Sequence, residues 1–392
     1  MGRWQNIRRL WILGSMVLGV VSGPYLQAAP PSPTWASPIV AAKAAELMDA
    51  RTGKVLFALH ADDKLPMASV TKLMTLYLAL RAVAQHRVRL NEYAVISEDA
   101  YHVNGSQIWL EPGEQMSVDH LIRGVAIASA NDAAYALAEF LAGSEPTFVA
   151  EMNRTAADLD MHNTHFSNPH GLHLADHYTT ASDMAKLARA AVKLPILLHY
   201  TSMREDRSVR NGKGGTLWMI NHNRLLRQYP GADGLKTGYT SQAGYCIVAT
   251  ARRGSTRMIA VVLGAPTSKA RFQDAATLMS WGFEHFRTIP LVRPGQILGM
   301  VPVKRGVARS VAAVMPNGLA VTVPRDSGNS VKIQVHLAPS LLAPVSQGQT
   351  VGTVSAYEGP QRIAERNLVA SRAVAKSRFL GRLFHYFLKF VG

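Results

Sequence analysis

The sequence has a single cysteine, Cys246, and comparatively few acidic residues. One thiol cannot form an intramolecular disulfide, so the 392-residue chain must rely on its core for stability. Only 26 acidic residues accompany 42 lysines and arginines, and the net charge of +16 favours an anionic surface as partner. No helix-turn-helix, zinc or aromatic-basic RNA-binding pattern accompanies this charge, so we predict no nucleic-acid partner. We also predict no metal and no cofactor.

The N-terminus lacks an apolar run long enough to cross a membrane. Residues 10–21 are apolar, but a membrane-spanning helix needs ~20 such residues. Arginines precede this run and small residues follow it, which is typical of a cleaved secretory signal peptide. We therefore predict a signal peptide over residues 1–29 and an exported protein, with an uncleaved anchor as the alternative. The full sequence is 48% hydrophobic, and the chain is long enough for two domains.

Three short polar motifs follow one another along the chain. They are Ser69-Val-Thr-Lys72, Ser129-Ala-Asn131 and Lys236-Thr237-Gly238. A serine hydroxyl needs a base, and a lysine three residues later on a helix lies on the same face. Burial beside the second cation, Lys236, could keep Lys72 as a free amine. Each motif alone fits a helix surface, a cap or a hairpin, but in this order they mark penicillin-binding proteins and class A β-lactamases.

The surrounding residues indicate how each motif is presented. A helix that is apolar on nearly all sides is predicted to start at Ser69, where unpaired amides can contribute to an oxyanion hole. Ser129 lies at a corner between helices, and His170 is expected to order a loop rather than act as a base. A glycine at 238 allows close approach to an edge strand. Strands are predicted at residues 46–49, 55–59, 236–240, 244–252 and 257–263, with a helix at 269–286.

The pattern changes to short β-like runs beyond Pro290. Glycine, proline and asparagine separate these runs, which predicts a small all-β domain. The runs cover residues 297–303, 309–314, 319–323, 331–337 and 350–354. Residues 373–392 then place phenylalanines and leucines on one helical face and basic residues on the other. This pattern predicts a helix lying in an anionic membrane interface, with a helix docked on the protein as the alternative.

The sequence from about residue 38 to 365 resembles the low-molecular-mass penicillin-binding proteins, the D-alanyl-D-alanine carboxypeptidases. Besides the three motifs, the likeness includes Asn168-Pro-His-Gly-Leu172, Thr180-Ala-Ser-Asp-Met184 and Asp233-Gly-Leu-Lys-Thr-Gly238. The resemblance implies an α/β plus all-β protein. A β-lactamase/transpeptidase-like domain, with an antiparallel sheet, helices and a helical region, would cover residues 30–289. A β-sandwich domain would cover residues 290–365, and a linker with an amphipathic anchor helix residues 366–392.

The same resemblance implies an activity and a role for each residue. Ser69 would attack the carbonyl between the two terminal D-alanines of a peptidoglycan stem pentapeptide, and Lys72 would take its proton. Ser129 would pass a proton to the departing D-alanine, and Lys236 would set the local field. The substrate-binding residues would be Asn131, Thr237, Gly238, Tyr239 and Arg271. β-Lactam antibiotics would acylate the same serine on the periplasmic side of the inner membrane.

Three other functions remain open at this stage. A class A β-lactamase normally has Ser-Asp-Asn and a glutamate that holds the deacylating water, whereas this chain has Ser129-Ala-Asn131 and, between Glu151 and Lys236, only Glu205. A D,D-endopeptidase differs in cleft width, which the sequence does not reveal. A peptidoglycan-binding scaffold would need no intact motifs. Ala130 and Tyr239 also stand where the family usually has glycine and histidine, which bears on rate and substrate preference rather than on reaction class.

Overall fold

The structure is a computed structural model that describes residues 35–209, 215–327 and 330–377. The predicted signal peptide, residues 1–29, lies outside the described residues, as do residues 378–392 of the predicted amphipathic helix. Within the described ranges, no helix is both long and apolar enough to span a bilayer.

The described residues form helices and strands in the following order. The helices are α1 (Lys72–Ala84), α2 (Glu98–His102), α3 (Val118–Arg123), α4 (Asn131–Ala142), α5 (Glu145–Asp158), α6 (Ala181–Ala191), α7 (Pro195–Ser202), α8 (Leu225–Gln228) and α9 (Ser268–His285). The first strands are β1 (Ala44–Asp49), β2 (Val55–Leu59), β3 (Leu65–Pro66), β4 (Tyr93–Val95), β5 (Gln115–Ser117), β6 (Tyr178–Thr179), β7 (Glu205–Asp206), β8 (Met219–Ile220), β9 (Ala232–Thr240), β10 (Gly244–Arg253) and β11 (Thr256–Ala265). The later strands are β12 (Phe286–Val292), β13 (Gln296–Lys304), β14 (Ser310–Met315), β15 (Leu319–Pro324), β16 (Val331–Leu337), β17 (Leu341–Leu342), β18 (Thr350–Glu358) and β19 (Gln361–Ala370).

An antiparallel sheet in the order β2-β1-β11-β10-β9 carries the first domain. Successive side chains of a strand point to opposite faces of the sheet. On β1, Glu46 accepts a hydrogen bond from Ser182 of α6, whereas Leu47 packs against Gly282 of α9. Helices α6 and α9 therefore cover opposite faces of the sheet. Strand β9 is last in the strand order and is therefore an edge strand. The predicted sheet with helices on it is confirmed.

The helical region supplies the corner that the sequence predicts around residue 129. Ser117 caps α3, its hydroxyl accepting a hydrogen bond from the His120 amide at 3.2 Å. Helix α3 then widens into a π-helical turn at Gly124–Ala128, and the chain reverses at Ser129, which has a left-handed backbone (φ +62°). Helix α4 starts at Asn131. This reversal places Ser129 and Asn131 at the end of two buried helices.

The chain beyond α9 forms a β-rich domain, as the sequence predicts. Strands β12 and β15 pair with each other, and a sheet in the order β16-β18-β19-β14-β13-β17 packs with them around a second apolar core. The limits at residues 289 and 365 both need correction, because β12 spans the first and β19 spans the second. Val374 and Lys376 also pair with strand-like residues of this domain. The predicted linker therefore cannot begin at 366, and the helix predicted over 373–392 cannot begin at 373, since the backbone stays in the domain to at least residue 376.

Candidate active site

Ser69 lies in a turn of 3-10 helix, Ala68–Thr71, and the α-helical bonding of α1 begins at Lys72. The sequence predicts an α-helix from Ser69, so the structure differs in the first turn. Directly before Ser69, Ala68 has a left-handed φ of +48°, so the α-helix cannot extend back through this residue. The tighter turn still places Lys72 beside the serine, since 3-10 geometry superimposes residues three apart.

The ammonium end of Lys72 is fully buried and touches three oxygen atoms. Its Nζ atom lies 2.5 Å from Asn131 Oδ1, 2.6 Å from the His170 carbonyl and 3.1 Å from Ser69 Oγ. The first two atoms can only accept hydrogen bonds, whereas the serine hydroxyl can also donate one. A neutral amine has two N–H groups for those acceptors and one lone pair for the Ser69 proton. The surroundings of Lys72 therefore match a free base.

The electrostatics of the site favour the same protonation state. Burial holds the pKa of Lys72 well below its usual 10.5, and the charge of Lys236 lowers it further, whereas Asp132 opposes the shift. The pKa of Lys236 falls to about 7 for a similar reason, burial first and the charge of Arg271 second. Two buried lysines and a buried arginine therefore lie close together. Among the residues that the structure describes, no carboxylate is hydrogen bonded to Lys72 Nζ.

The second motif joins the two lysines. Lys236 Nζ donates to Ser129 Oγ at 2.8 Å and to the Thr237 carbonyl at 2.9 Å. Asn131 donates from Nδ2 to the Asn104 carbonyl at 2.5 Å, and this bond turns its Oδ1 toward Lys72. The structure thus forms two hydrogen-bonded groups, Lys72 with Ser69 and Asn131, and Lys236 with Ser129, and the charge of Lys236 reaches Lys72.

Strand β9 passes directly over the turn that carries Ser69. A Cβ atom on Gly238 would lie 2.8 Å from the Ser69 amide nitrogen and 2.9 Å from that of Val70, which is too close for any side chain. Glycine is therefore required by the approach of strand and turn, and not only by a ligand on the strand. Thr237 beside it is buried, whereas the Tyr239 ring is 55% exposed and stacks on Tyr245 with centroids 4.3 Å apart.

Arg271 lies behind β9 near the start of α9. It is only 7% exposed and donates from one nitrogen to the Gly238 carbonyl at 3.0 Å and to the Cys246 carbonyl at 3.3 Å. Its Nε atom is buried without a hydrogen-bond partner. Burial lowers the pKa of Arg271 to about 10, so the guanidinium keeps its charge at neutral pH. The predicted carboxylate-binding arginine thus supplies positive charge from beneath the strand.

The other residues that the sequence singles out have structural contacts. The His170 ring accepts from the Leu172 amide, and burial lowers its pKa to about 3, so it is neutral. Glu205 is exposed and accepts from the Trp218 indole. Within the described ranges, no three His, Cys, Asp or Glu side chains are placed to hold a metal ion.

Sequence reasoning missed two residues close to the nucleophile. Thr71 and His177 are both buried and hydrogen bonded to each other at 2.7 Å, although 106 positions separate them in the chain. It also assigned Asn131 only to substrate, whereas the structure adds its bond to Lys72. A sequence signal was available only for Thr71, which lies inside the first motif.

A buried lysine of lowered pKa beside a serine, at the edge of an antiparallel sheet flanked by helices, is typical of the penicillin-recognising serine hydrolases. Residues 32–267 match the family described as D-alanyl-D-alanine carboxypeptidase, and residues 286–376 match the C-terminal domain of penicillin-binding protein 5. The chain belongs to the D-alanyl-D-alanine carboxypeptidase family.

Individual relatives agree over most of the chain. The chain is 37% identical to D-alanyl-D-alanine carboxypeptidase DacF of Bacillus subtilis, covering 86% of this chain and 87% of that protein. It is also 37% identical to D-alanyl-D-alanine carboxypeptidase DacC of Escherichia coli, covering 89% and 88%. The crystal structure of penicillin-binding protein 5 from Haemophilus influenzae superimposes with a TM-score of 0.76 at 33% identity, covering 88% of this chain and all of that one.

Proposed function

We propose that this chain is a serine-type D-alanyl-D-alanine carboxypeptidase that removes the last residue of a peptidoglycan stem pentapeptide. The observation that carries the proposal is the environment of Lys72, where two pure acceptors and one hydroxyl surround a buried amine of lowered pKa. A base of this kind can take the Ser69 proton at neutral pH without a histidine.

In the first step Ser69 Oγ attacks the carbonyl between the two D-alanines while its proton moves to Lys72. The Ser69 and Tyr239 amides donate to the oxyanion that forms. When the C–N bond breaks, the proton that Lys72 took from Ser69 passes through Ser129 to the departing amine, and Lys236 supports this transfer through its hydrogen bond to Ser129. Lys72 is then neutral again. Water attacks the acyl-enzyme and loses a proton to Lys72, and Lys72 returns this proton to Ser69 Oγ as the ester bond breaks and the shortened peptide leaves. A penicillin would acylate the same hydroxyl.

The free carboxylate of the substrate marks the C-terminal end of the peptide. We assign it to the Thr237 hydroxyl and to the positive charge of Arg271, through the guanidinium N–H groups that Gly238 and Cys246 do not occupy. Asn131 would bind a substrate amide with the hydrogen-bonding capacity that its bonds to Lys72 and Asn104 leave unused. Gly238 keeps β9 close enough to the Ser69 turn for both amides to reach one oxygen.

We also propose export and peripheral attachment to the periplasmic side of the inner membrane. The signal-like N-terminus supports the first part, and the basic amphipathic pattern of residues 378–392 supports the second. Two charged partners then follow: stem peptides within the cleft and an anionic lipid surface at the tail.

Fluorescent penicillin labelling and D-alanine release from diacetyl-lysyl-D-alanyl-D-alanine test the proposal together. We expect the wild-type protein to be labelled and to release D-alanine, and Ser69→Ala to do neither. Label that persists in Ser69→Ala would contradict the acyl-enzyme on Ser69. Rapid nitrocefin hydrolysis without D-alanine release would instead assign the chain to the β-lactamases.

A further inference from the structure

The residue before the proposed nucleophile has a strained backbone. Ala68 is buried with φ +48°, a left-handed conformation that costs a non-glycine residue about 1 kcal/mol or more. The peptide group that follows this residue joins Ala68 to Ser69 and carries the Ser69 N–H. In a trans peptide the carbonyl and the N–H point in opposite directions, so fixing the Ala68 oxygen also fixes the Ser69 N–H.

A chain of buried hydrogen bonds ends at that oxygen. The Ser167 amide donates to His177 Nδ1 at 2.9 Å, so the neutral ring must carry its proton on Nε2. His177 Nε2 then donates to Thr71 Oγ1 at 2.7 Å, which leaves the single threonine proton for the Ala68 carbonyl, also at 2.7 Å. All three hydrogen bonds can form only if each residue donates to the next, from Ser167 through His177 and Thr71 to the Ala68 carbonyl. The last acceptor belongs to the peptide group that also contains the Ser69 N–H.

Two glycines pack against the same peptide group. A Cβ atom at Gly171 would lie 2.1 Å from the Ala68 oxygen and 2.9 Å from the Ser69 nitrogen, and one at Gly238 would lie 2.8 Å from the same nitrogen. The loop of Gly171 is therefore nearest to the carbonyl oxygen, and β9 lies beside the nitrogen. A rotation of this peptide would break the bond from Thr71 and turn the Ser69 N–H away from the cleft beside β9.

We infer that His177 and Thr71 are positioning residues that hold the Ser69 N–H in line for the developing oxyanion. The inference rests on the proposed function, in which this N–H is one of the two oxyanion donors. A donor that matters only in the transition state affects kcat far more than KM. If the same two residues had a purely structural role, their replacement would lower thermal stability without lowering kcat far more than it changes KM.

Thr71→Val removes the hydroxyl and keeps the shape of the side chain. We expect kcat for D-alanine release and the penicillin acylation rate to fall by about 10- to 100-fold, with KM within about twofold, because loss of a whole oxyanion donor costs about 10²–10³. Thr71→Ser restores the hydroxyl and should recover most of the rate. Thr75→Val is the matched control, because Thr75 donates to the Pro169 carbonyl at 2.6 Å from the next turn of α1 and does not touch Ala68.

A second pair of variants keeps the test decisive if Thr71→Val fails to fold. In His177→Gln the side-chain amide can replace Nε2 as donor to Thr71, whereas the shorter His177→Asn cannot reach it. We expect the glutamine variant to acylate about tenfold faster than the asparagine variant at equal melting temperature. Equal rates in these two variants, or a loss in Thr75→Val as large as in Thr71→Val, would overturn the inference. A wild-type protein that is neither labelled nor active would instead refute the proposed function.

Discussion

Lys72 shows how the surroundings of a lysine turn it into a base. The amine is buried, two acceptor oxygens use its N–H groups, and the nearby charge of Lys236 disfavours a third proton. Asp132, the carboxylate that opposes this shift, accepts from the amides of Ile108 and Leu110 and does not pair with Lys72. The charge state of the base is therefore set by neighbours that do not react.

Replacing Lys236 should change the pH dependence of acylation. The base must be neutral, so the rate is lost as the pH falls through the pKa of Lys72. Lys236→Gln removes a charge that lowers this pKa, and we expect the acidic limb to move to higher pH, with a rate at pH 7 lower by about 100-fold. The measurement is the rate of labelling by fluorescent penicillin between pH 5 and 10.

Lys236→Arg is the control for that prediction. It keeps the positive charge but alters the shape of the donor, so it should lower the rate and leave the acidic limb close to its wild-type position. An acidic limb that does not move in Lys236→Gln would show that Lys236 does not control the protonation of Lys72.

Buried His177 should make the fold sensitive to acid. Burial lowers its pKa to about 4, and Asp176 opposes this shift. The unfolded chain binds a proton near pH 6.5 that the folded chain does not bind, so stability falls as the pH drops from about 6.5 toward 4. At pH 5 this loss amounts to about 2 kcal/mol.

Urea unfolding at pH 7 and pH 5 measures this loss. In His177→Gln the decrease in free energy of unfolding between the two pH values should be smaller by about 2 kcal/mol than in the wild-type protein. Exposed His162 provides the control, because its replacement by glutamine removes a histidine without removing a buried one. An unchanged pH dependence in His177→Gln would show that this ring does not resist protonation in the folded state.

At the scale of elements, the site depends on how closely β9 approaches the 3-10 turn before α1. Gly238 is the point of closest approach, and the hydrogen bond from Arg271 to its carbonyl holds the strand from behind. The turn is held from the other side by Gly171 and Thr71. The cleft is therefore formed by two backbone segments with almost no side-chain volume between them.

A methyl group at Gly238 should separate the strand from the turn. In Gly238→Ala, the contacts of 2.8 and 2.9 Å with backbone nitrogens cannot be relieved by a side-chain rotation, so β9 or the turn must move. We expect the acylation rate to fall by about 100-fold, because small displacements of reacting groups cost that much. Stopped-flow or gel-based penicillin labelling provides the rate.

Gly254→Ala tests the specificity of that effect. Gly254 lies in the turn between β10 and β11 with φ +59°, and a methyl group added there would meet no atom within 4 Å, so the cost is backbone strain of about 1 kcal/mol. We expect its acylation rate to stay within about twofold of wild type. Comparable losses in both variants would point to general destabilisation instead of an effect on the cleft.

The sequence predicted these elements where the signal was local. Strands β1 and β2 and the β-rich C-terminal domain follow from short-range patterns, and the structure confirms them. The left-handed turn at Ala68 was missed, because no local sequence pattern predicts a positive φ at an alanine. The bond from His177 to Thr71 was missed because only the tertiary fold brings residues 106 positions apart together.

At the scale of the whole molecule, the two domains have separate apolar cores and a polar contact between them. Thr52 and Thr322 are hydrogen bonded at 2.6 Å, and Arg325 donates to the Phe283 carbonyl at 2.6 Å. The second domain is completed by β19, whose Leu368 is completely buried. Stability of this domain therefore depends on residues close to the proposed membrane segment.

Truncation at two positions should separate membrane attachment from folding. A chain that ends at Ser377 keeps β19 and the pairing of Val374, and we expect it to leave the membrane fraction and to remain folded and labelled by penicillin. A chain that ends at Glu365 loses Leu368 from the core, which by comparison with core truncations costs at least about 2–5 kcal/mol. Fractionation and thermal melting measure the two effects. Membrane binding that survives the Ser377 truncation would contradict the proposed anchor.

The hydrogen bond from Arg271 to the Gly238 carbonyl also changes the electronic character of the adjacent peptide. Amide resonance couples the oxygen to the nitrogen, so a cation that donates to the oxygen draws electron density away from the N–H at the other end, which belongs to Tyr239. Thr71 acts in the same sense, as a neutral donor, on the peptide that ends in the Ser69 N–H. Both amides are therefore polarised before substrate arrives, and the one next to the guanidinium is the more acidic donor.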